Sequence, residues 1–354
     1  MNTHKEKIRY VGIDSLRGWL IVLVMLGHLV LGSVDENIIR YSIYAFHMPL
    51  FIGLTGYVIN ADSLRNNTFL ATLMRYWWRV LLPFALAYFF FTAILAIHAF
   101  EEGRISAKLL LSFVVTPYYH LWFIPTLVLW VLAFATLLKS RVPSFYVLLF
   151  FLSLSLIWAS LPSAEQWPFL AALLSKKVIY FFSFFLFGAW LRTAGSKKLR
   201  TLFSQFKILP MVVITACAGV YLINIGVDKS LFKAGVWLIL NLALITLLID
   251  SATAKPSATS KPSAAAKPSV KSSIITAIGR NSLPIYLWHV VPMFILKGFD
   301  IHQSYPLLYY FVASISMVLI VFAVLRLEGG KEGGKEGGKE GRNKLIDRCL
   351  FGKV

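Results

Sequence analysis

Of the 354 residues, 58% are hydrophobic and only 14% are charged, with a formal net charge of +19. That composition is too apolar for an ordinary soluble domain. The basic excess does not argue for nucleic acid, because it falls between long apolar stretches.

Ten such stretches are long enough to be read as membrane spans, at about 13–31, 42–60, 80–99, 121–138, 145–161, 179–193, 208–225, 232–249, 283–299 and 305–325. The fold class expected is therefore all-α: a polytopic membrane protein with about ten transmembrane helices. The first stretch follows Lys5, Lys7 and Arg9, as in a signal peptide. It is too long for one, lacks a small-residue cleavage site, and carries Asp14, Arg17 and His28. It is read as a retained span. With the N-terminus in the cytoplasm and ten crossings, 27 of the 35 Lys and Arg residues fall on the cytoplasmic side. The positive-inside rule is then met at every cytoplasmic loop, and contact with anionic lipid accounts for the net charge. A multi-pass protein of the plasma (bacterial inner) membrane with both termini cytoplasmic is expected. Cys217 lies in a span and Cys349 in the tail, so neither is placed for an extracellular disulfide.

Residues 1–326 are read as one transmembrane domain. Within it, 253–272 repeats Lys-Pro-Ser and has the composition of a flexible cytoplasmic linker. The tail, 327–354, carries a Gly-Gly-Lys-Glu repeat and reads as low-complexity and disordered. The aromatic residues near span ends, such as Tyr118, Trp122 and Tyr305, read as an interfacial belt.

The first span is the most informative. In "GIDSLRGWLIVLVMLGH", residues 12–28, Arg17 and His28 are eleven apart. On an α-helix they share one face, separated by a rise of about 16 Å. Asp14 lies one turn before Arg17 on the same face. An arginine at the membrane boundary suits a phosphate, and a histidine deeper in suits proton transfer. The separation is about the span of an extended thioester cofactor arm. Taken singly, Arg17 could snorkel to headgroups and His28 could bond a neighbouring helix. Ionisable groups inside spans are nonetheless functional by default.

Three further features follow along the chain. His47 precedes Pro49, which is expected to put it in a loop-like kink facing an outer vestibule. Arg75 and Arg79 are four apart and share a helix face. His289 follows Pro284, which is expected to break the ninth span so that it lines a cavity. His98, His120 and His302 fall near span ends and read as interfacial. No histidine pair has the i, i+4 spacing of a metal site, so no metal is expected.

The first span, with an arginine, ten residues and then a histidine, resembles the signature of the acyltransferase-3 family of integral-membrane O-acyltransferases. "FHMPLFIGLTGYVI" at 46–59, "LWFIPTL" at 121–127, "FFLFGAWLR" at 184–192 and "IGRNSLPIYLWH" at 278–289 are similar to later family motifs, in the family's order. The resemblance covers residues 9 to about 326. It implies transfer of an acyl group, with acetyl expected, from cytoplasmic acyl-CoA to a hydroxyl of a cell-surface or lipid-linked carbohydrate. It also implies that His28 is the catalytic histidine; Arg17 and Asp14, on the same face, are expected beside it in the catalytic set, and Arg17 also in donor binding. Arg75 and Arg79 correspond to a paired-arginine motif that many members space three apart, and both are expected at the donor phosphates with Arg17, Arg79 more firmly than Arg75. His289 and His47 are assigned to the substrate or to proton relay. No Gly-x-Ser-x-Gly elbow is present, so covalent serine catalysis has no candidate. The expected partners are the carbohydrate acceptor, acyl-CoA and membrane lipids. A proton-coupled transporter or sugar-lipid flippase is the alternative. Against it stand the lack of an internal repeat and the near absence of acidic residues within spans.

Overall fold

The computed structural model describes residues 11–34, 36–103, 106, 120–140, 142–160, 176–193, 196–205, 208–223, 231–253 and 274–329. The expected linker at 253–272, apart from Thr253, which ends a helix, and the tail from 330 onward lie outside them. The described residues form helices and connections without strands. In chain order the helices are α1 (Val11–Leu29), α2 (Ile38–Val58), α3 (Ala61–Asn66), α4 (Phe69–Tyr76), a π-helical turn (Trp77–Leu81), α5 (Leu82–Glu101), α6 (Phe123–Lys139), α7 (Ser144–Ser160), α8 (Lys176–Leu191), α9 (Lys197–Gln205), α10 (Ile208–Ile223), α11 (Leu231–Thr253), α12 (Ile274–Arg280), α13 (Ser282–Trp288), α14 (Val291–Gly298), α15 (Ile301–Ser304) and α16 (Pro306–Gly329).

Among the described residues, four helices are long and apolar enough to cross a membrane: Val11–Leu29, Phe69–Glu101, Leu231–Thr253 and Pro306–Leu327. Shorter apolar helices cover Phe123–Lys139, Ser144–Ile157, Val178–Leu191 and Pro210–Ile223. Each stretch picked from the sequence is helical over most of its length.

Local chemistry sets several boundaries. The Asn37 side chain accepts from the amides of Ile39 and Arg40 at 3.0 and 3.2 Å, starting α2. Asn60 and Thr68 cap α3 and α4 in the same way. Prolines explain the interruptions, since proline offers no N–H to the carbonyl four residues back. Pro83 follows the π turn, and Pro284 and Pro292 follow the breaks at Asn281 and at His289–Val290. The ninth stretch, 283–299, is thus broken, but at His289–Val290, and a further break at Asn281 lies just before it.

Pro49 behaves otherwise. The expected loop-like interruption is absent, and α2 runs unbroken from Ile38 to Val58. The Ala45 carbonyl, left without a donor by Pro49, accepts instead from Asn241 Nδ2 of α11 at 3.0 Å. The same amide donates to the Trp237 carbonyl at 2.8 Å. A fully buried asparagine therefore replaces the missing backbone donor.

Two close helix crossings fix the frame. A side chain at Gly56 would strike the Phe185 carbonyl, and one at Gly188 would strike that of Gly53, so α2 and α8 meet backbone to backbone. Likewise Gly18 of α1 lies against the Ile275 carbonyl, and Gly279 of α12 against that of Asp14. Around them runs an aromatic core of stacked rings, including Trp130 on Phe182 and Tyr180 on Trp237. Trp130 Nε1 donates to the Val178 carbonyl at 2.8 Å, so the buried indole is satisfied.

Candidate active site

At one end of α1 a cavity of about 1270 Å³ opens between α1, α2, α4, the π turn, α6 and α12–α13. Four guanidinium side chains line it: Arg17, Arg75, Arg79 and Arg280. The first three are the residues expected from the sequence to bind phosphate, and the structure brings them to one space. Arg280 was not singled out. It is the last residue of α12, and only the fold brings it to the same cavity as Arg17. The π turn explains how Arg75 and Arg79 both reach the cavity. A π turn adds one residue to a helix, and π turns recur at functional sites. The extra residue in the Arg-x-x-x-Arg spacing is taken up there.

Asp14 is buried, and its Oδ2 lies 3.4 Å from Arg280 Nε. The structure thus places it with a cavity arginine and does not bring it to His28. Arg75 is steadied by Ser63, which accepts from Nη1 at 2.8 Å.

Phe123 and Tyr286 are also among the residues that line the cavity. Beyond Tyr286 lies a cluster of histidines. The His120 and His289 rings stand 5.7 and 6.2 Å from that of Tyr286. His28 is 5.3 Å from His289 and 6.1 Å from His120, ring to ring. His120 therefore departs from the interfacial reading. It is 2% exposed and donates from Nε2 to the Leu287 carbonyl at 3.3 Å. Its sequence position, ahead of α6, gave no hint of this, because its neighbours come from α1 and α13. His98 does lie at the surface, 3.4 Å from Glu102.

The tautomers are legible from partners. A carbonyl only accepts, so His289 Nδ1 carries the proton it shares between Ile285 and Tyr286 at 3.1 and 2.8 Å. Its Nε2, fully buried, has no hydrogen-bond partner among the described residues. His47 Nδ1 likewise donates to the Ile43 carbonyl at 2.7 Å. It lies within α2, buried rather than in a vestibule, because the helix continues through Pro49 without interruption. Its ring touches Tyr44 at 4.9 Å. Tyr44 Oη in turn lies 3.4 Å from His28 Nδ1. Arg40 stacks over Tyr44 at 5.4 Å and donates to the Gly32 carbonyl. Gly32 has φ +91, a conformation that favours glycine, in the connection between α1 and α2. In that connection Ser33 donates from its amide and hydroxyl to Glu36, which holds the carboxyl of Glu36 below its ordinary range.

Among the described residues no three His, Cys, Asp or Glu side chains converge as metal ligands. The arrangement that remains is a basic cavity, an aromatic floor and a layer of imidazoles, in that order along α1.

Residues 10–326 match the family model of the acyltransferase domain. The nodulation protein NolL of Sinorhizobium fredii (strain NBRC 101917 / NGR234) is 36% identical over 66 residues, which are 17% of this chain and 18% of that protein. The match thus spans under a fifth of that relative's length. No solved structure matches. With the family model covering nearly the whole chain, this protein belongs to the acyltransferase-3 family.

Proposed function

We propose that the protein is an integral-membrane O-acyltransferase that moves an acyl group, with acetyl expected, from cytoplasmic acyl-CoA to a hydroxyl of a cell-surface or lipid-linked carbohydrate. The observation that carries this reading is the cavity with Arg17, Arg75, Arg79 and Arg280 on its walls and Tyr286 at its floor, directly beneath His28, His120 and His289. Arginine forks suit phosphate groups, and a basic cavity on the cytoplasmic side faces the donor pool. The orientation is the one given by the Lys and Arg asymmetry: ten spans in the plasma membrane, both termini in the cytoplasm.

In this scheme the donor phosphates lie among the arginines and its thioester arm points along α1 toward His28. Asp14 does not touch the reacting atoms; it holds Arg280 on the cavity wall. With Tyr44 Oη accepting from Nδ1–H, the lone pair of His28 sits on Nε2. The acceptor hydroxyl attacks the thioester carbonyl carbon as Nε2 takes its proton. The tetrahedral intermediate collapses with cleavage of the C–S bond, and the leaving thiolate regains the proton from the imidazolium. The acceptor gains the acyl group and free CoA departs. His289 and His47 fix the imidazole layer by bonds to backbone carbonyls, and Nε2 of His289 faces this chemistry as an acceptor available to the substrate.

The test is purified protein in liposomes, labelled acetyl-CoA and an extract of surface carbohydrate. Wild type should transfer label to the carbohydrate. His28→Ala should insert normally and lose at least about a hundredfold in rate, the scale of general-base assistance. Transfer retained by His28→Ala would overturn the assignment. Movement of carbohydrate across the bilayer with no acyl donor would identify a carrier instead.

A further inference from the structure

A second concavity lies on the far side of α2 from His28. It is a groove of about 250 Å³ between α2, α10 and α11. Its walls include Phe46, Leu50, Ala218 and Leu244, and Ala45 and Ala218 leave the gap that longer side chains would close. Tyr41 and Tyr221 bridge α2 and α10 at one end. Their rings stack at 4.9 Å, and Tyr41 Oη donates to the Tyr221 carbonyl at 3.2 Å. Lys233, at the start of α11, stands over both rings, with Nζ 5.5 and 5.8 Å from their centroids.

An apolar groove among membrane helices, with an ammonium and two phenols at one end, has the polarity of a lipid: chain below, charged head above. The volume corresponds to about eight water-sized groups of roughly 30 Å³ each, which suits one narrow chain and not two. Under the orientation proposed above, on which this reading rests, Lys233 is at the outer surface.

We infer that this groove binds a single-chain lipid phosphate, its chain between α2 and α10 and its phosphate at Lys233. Tyr41 is one turn from Tyr44, the partner of His28, so the bound head group lies about one helix diameter, 10–12 Å, from the catalytic imidazole. A carbohydrate attached to that phosphate is then held within reach of the acyl group.

The experiment uses the full chain in phosphatidylcholine nanodiscs doped with a diazirine-bearing polyprenyl phosphate, and in parallel with the matching neutral polyprenol. Crosslinks from the phosphate should map to the α2, α10 and α11 residues of the groove. Lys233→Gln should lower phosphate labelling about tenfold, the loss of one charge-assisted hydrogen bond, to the level of the neutral lipid. Ala218→Trp should fill the groove and remove both labels there. Equal labelling by phosphate and alcohol in wild type, or labelling untouched by Ala218→Trp, would overturn the site and show ordinary surrounding lipid. His28→Ala should leave the labelling intact. A failure of acyl transfer chemistry and a failure of lipid binding are therefore separable.

Discussion

At the scale of the residue, the arginines and the histidines should fail in different ways. In the proposed donor site Arg17 and Arg280 hold the phosphates, so Arg17→Ala and Arg280→Ala should each raise KM for acetyl-CoA by about tenfold or more with a smaller effect on kcat. Saturating donor should restore most of the rate, whereas His28→Ala should stay inactive at any donor concentration. A kcat-only defect in Arg17→Ala would remove it from the donor site. Asn241 makes a separate prediction about stability. Asn241→Leu leaves the Ala45 carbonyl unpaired in the protein interior, at a cost of about 1–3 kcal/mol. In a Pro49→Ala background the new N–H takes that carbonyl, so the same change should cost less. Thermal unfolding of the four proteins in detergent measures the coupling, and strictly additive losses would refute it. The sequence made Arg17 and His28 legible because both belong to one helix, whose pitch is known in advance. His120 and Arg280 were not legible, because what makes them part of the site is contact with other elements. Asp14 was expected beside Arg17, and the partner that the structure gives it, Arg280, belongs to α12.

Among the elements, the π turn at Trp77–Leu81 offers the sharpest test. If it absorbs one extra residue, deleting Trp77 should convert α4 through α5 into continuous α-helix with Arg three residues from Arg. Donor KM should then stay within about threefold of wild type. Deleting Phe89 within α5 instead rotates everything beyond it by about 100°, and should abolish activity. Equal damage from both deletions, read by transfer rate and by yield of folded protein, would show that the turn is not an accommodated insertion. Proline was the least legible residue at this scale. Pro284 and Pro292 do accompany breaks, whereas Pro49 does not, since Asn241 makes good its missing bond from a helix nearly two hundred residues later in the chain. A sequence window around Pro49 contains nothing of that compensation.

For the whole molecule, class and helix placement were readable because lipid demands continuous apolar helix, and that demand is written locally. Which helices touch was not, because the crossings depend on single glycines such as Gly56 and Gly188 meeting carbonyls from distant segments. The orientation is open to direct measurement. Accessible cysteine or epitope tags inserted at 253–272 and after Val354 should both report the cytoplasm, and an external report from either would break the ten-span topology. With acyl-CoA as the donor and His28 as the base, as proposed above, the unbroken course of α1 from Arg17 to His28 would make the protein a gauge of its donor's length. A small thioester without a nucleotide can drift to the imidazole but finds nothing to grip. A nucleotide fragment without the thioester arm finds the grip but cannot reach, and so should compete with the donor without being consumed. Only a molecule that is charged at one end and acylated about 16 Å away meets both conditions at once, and the carrier itself never has to leave the side from which it came.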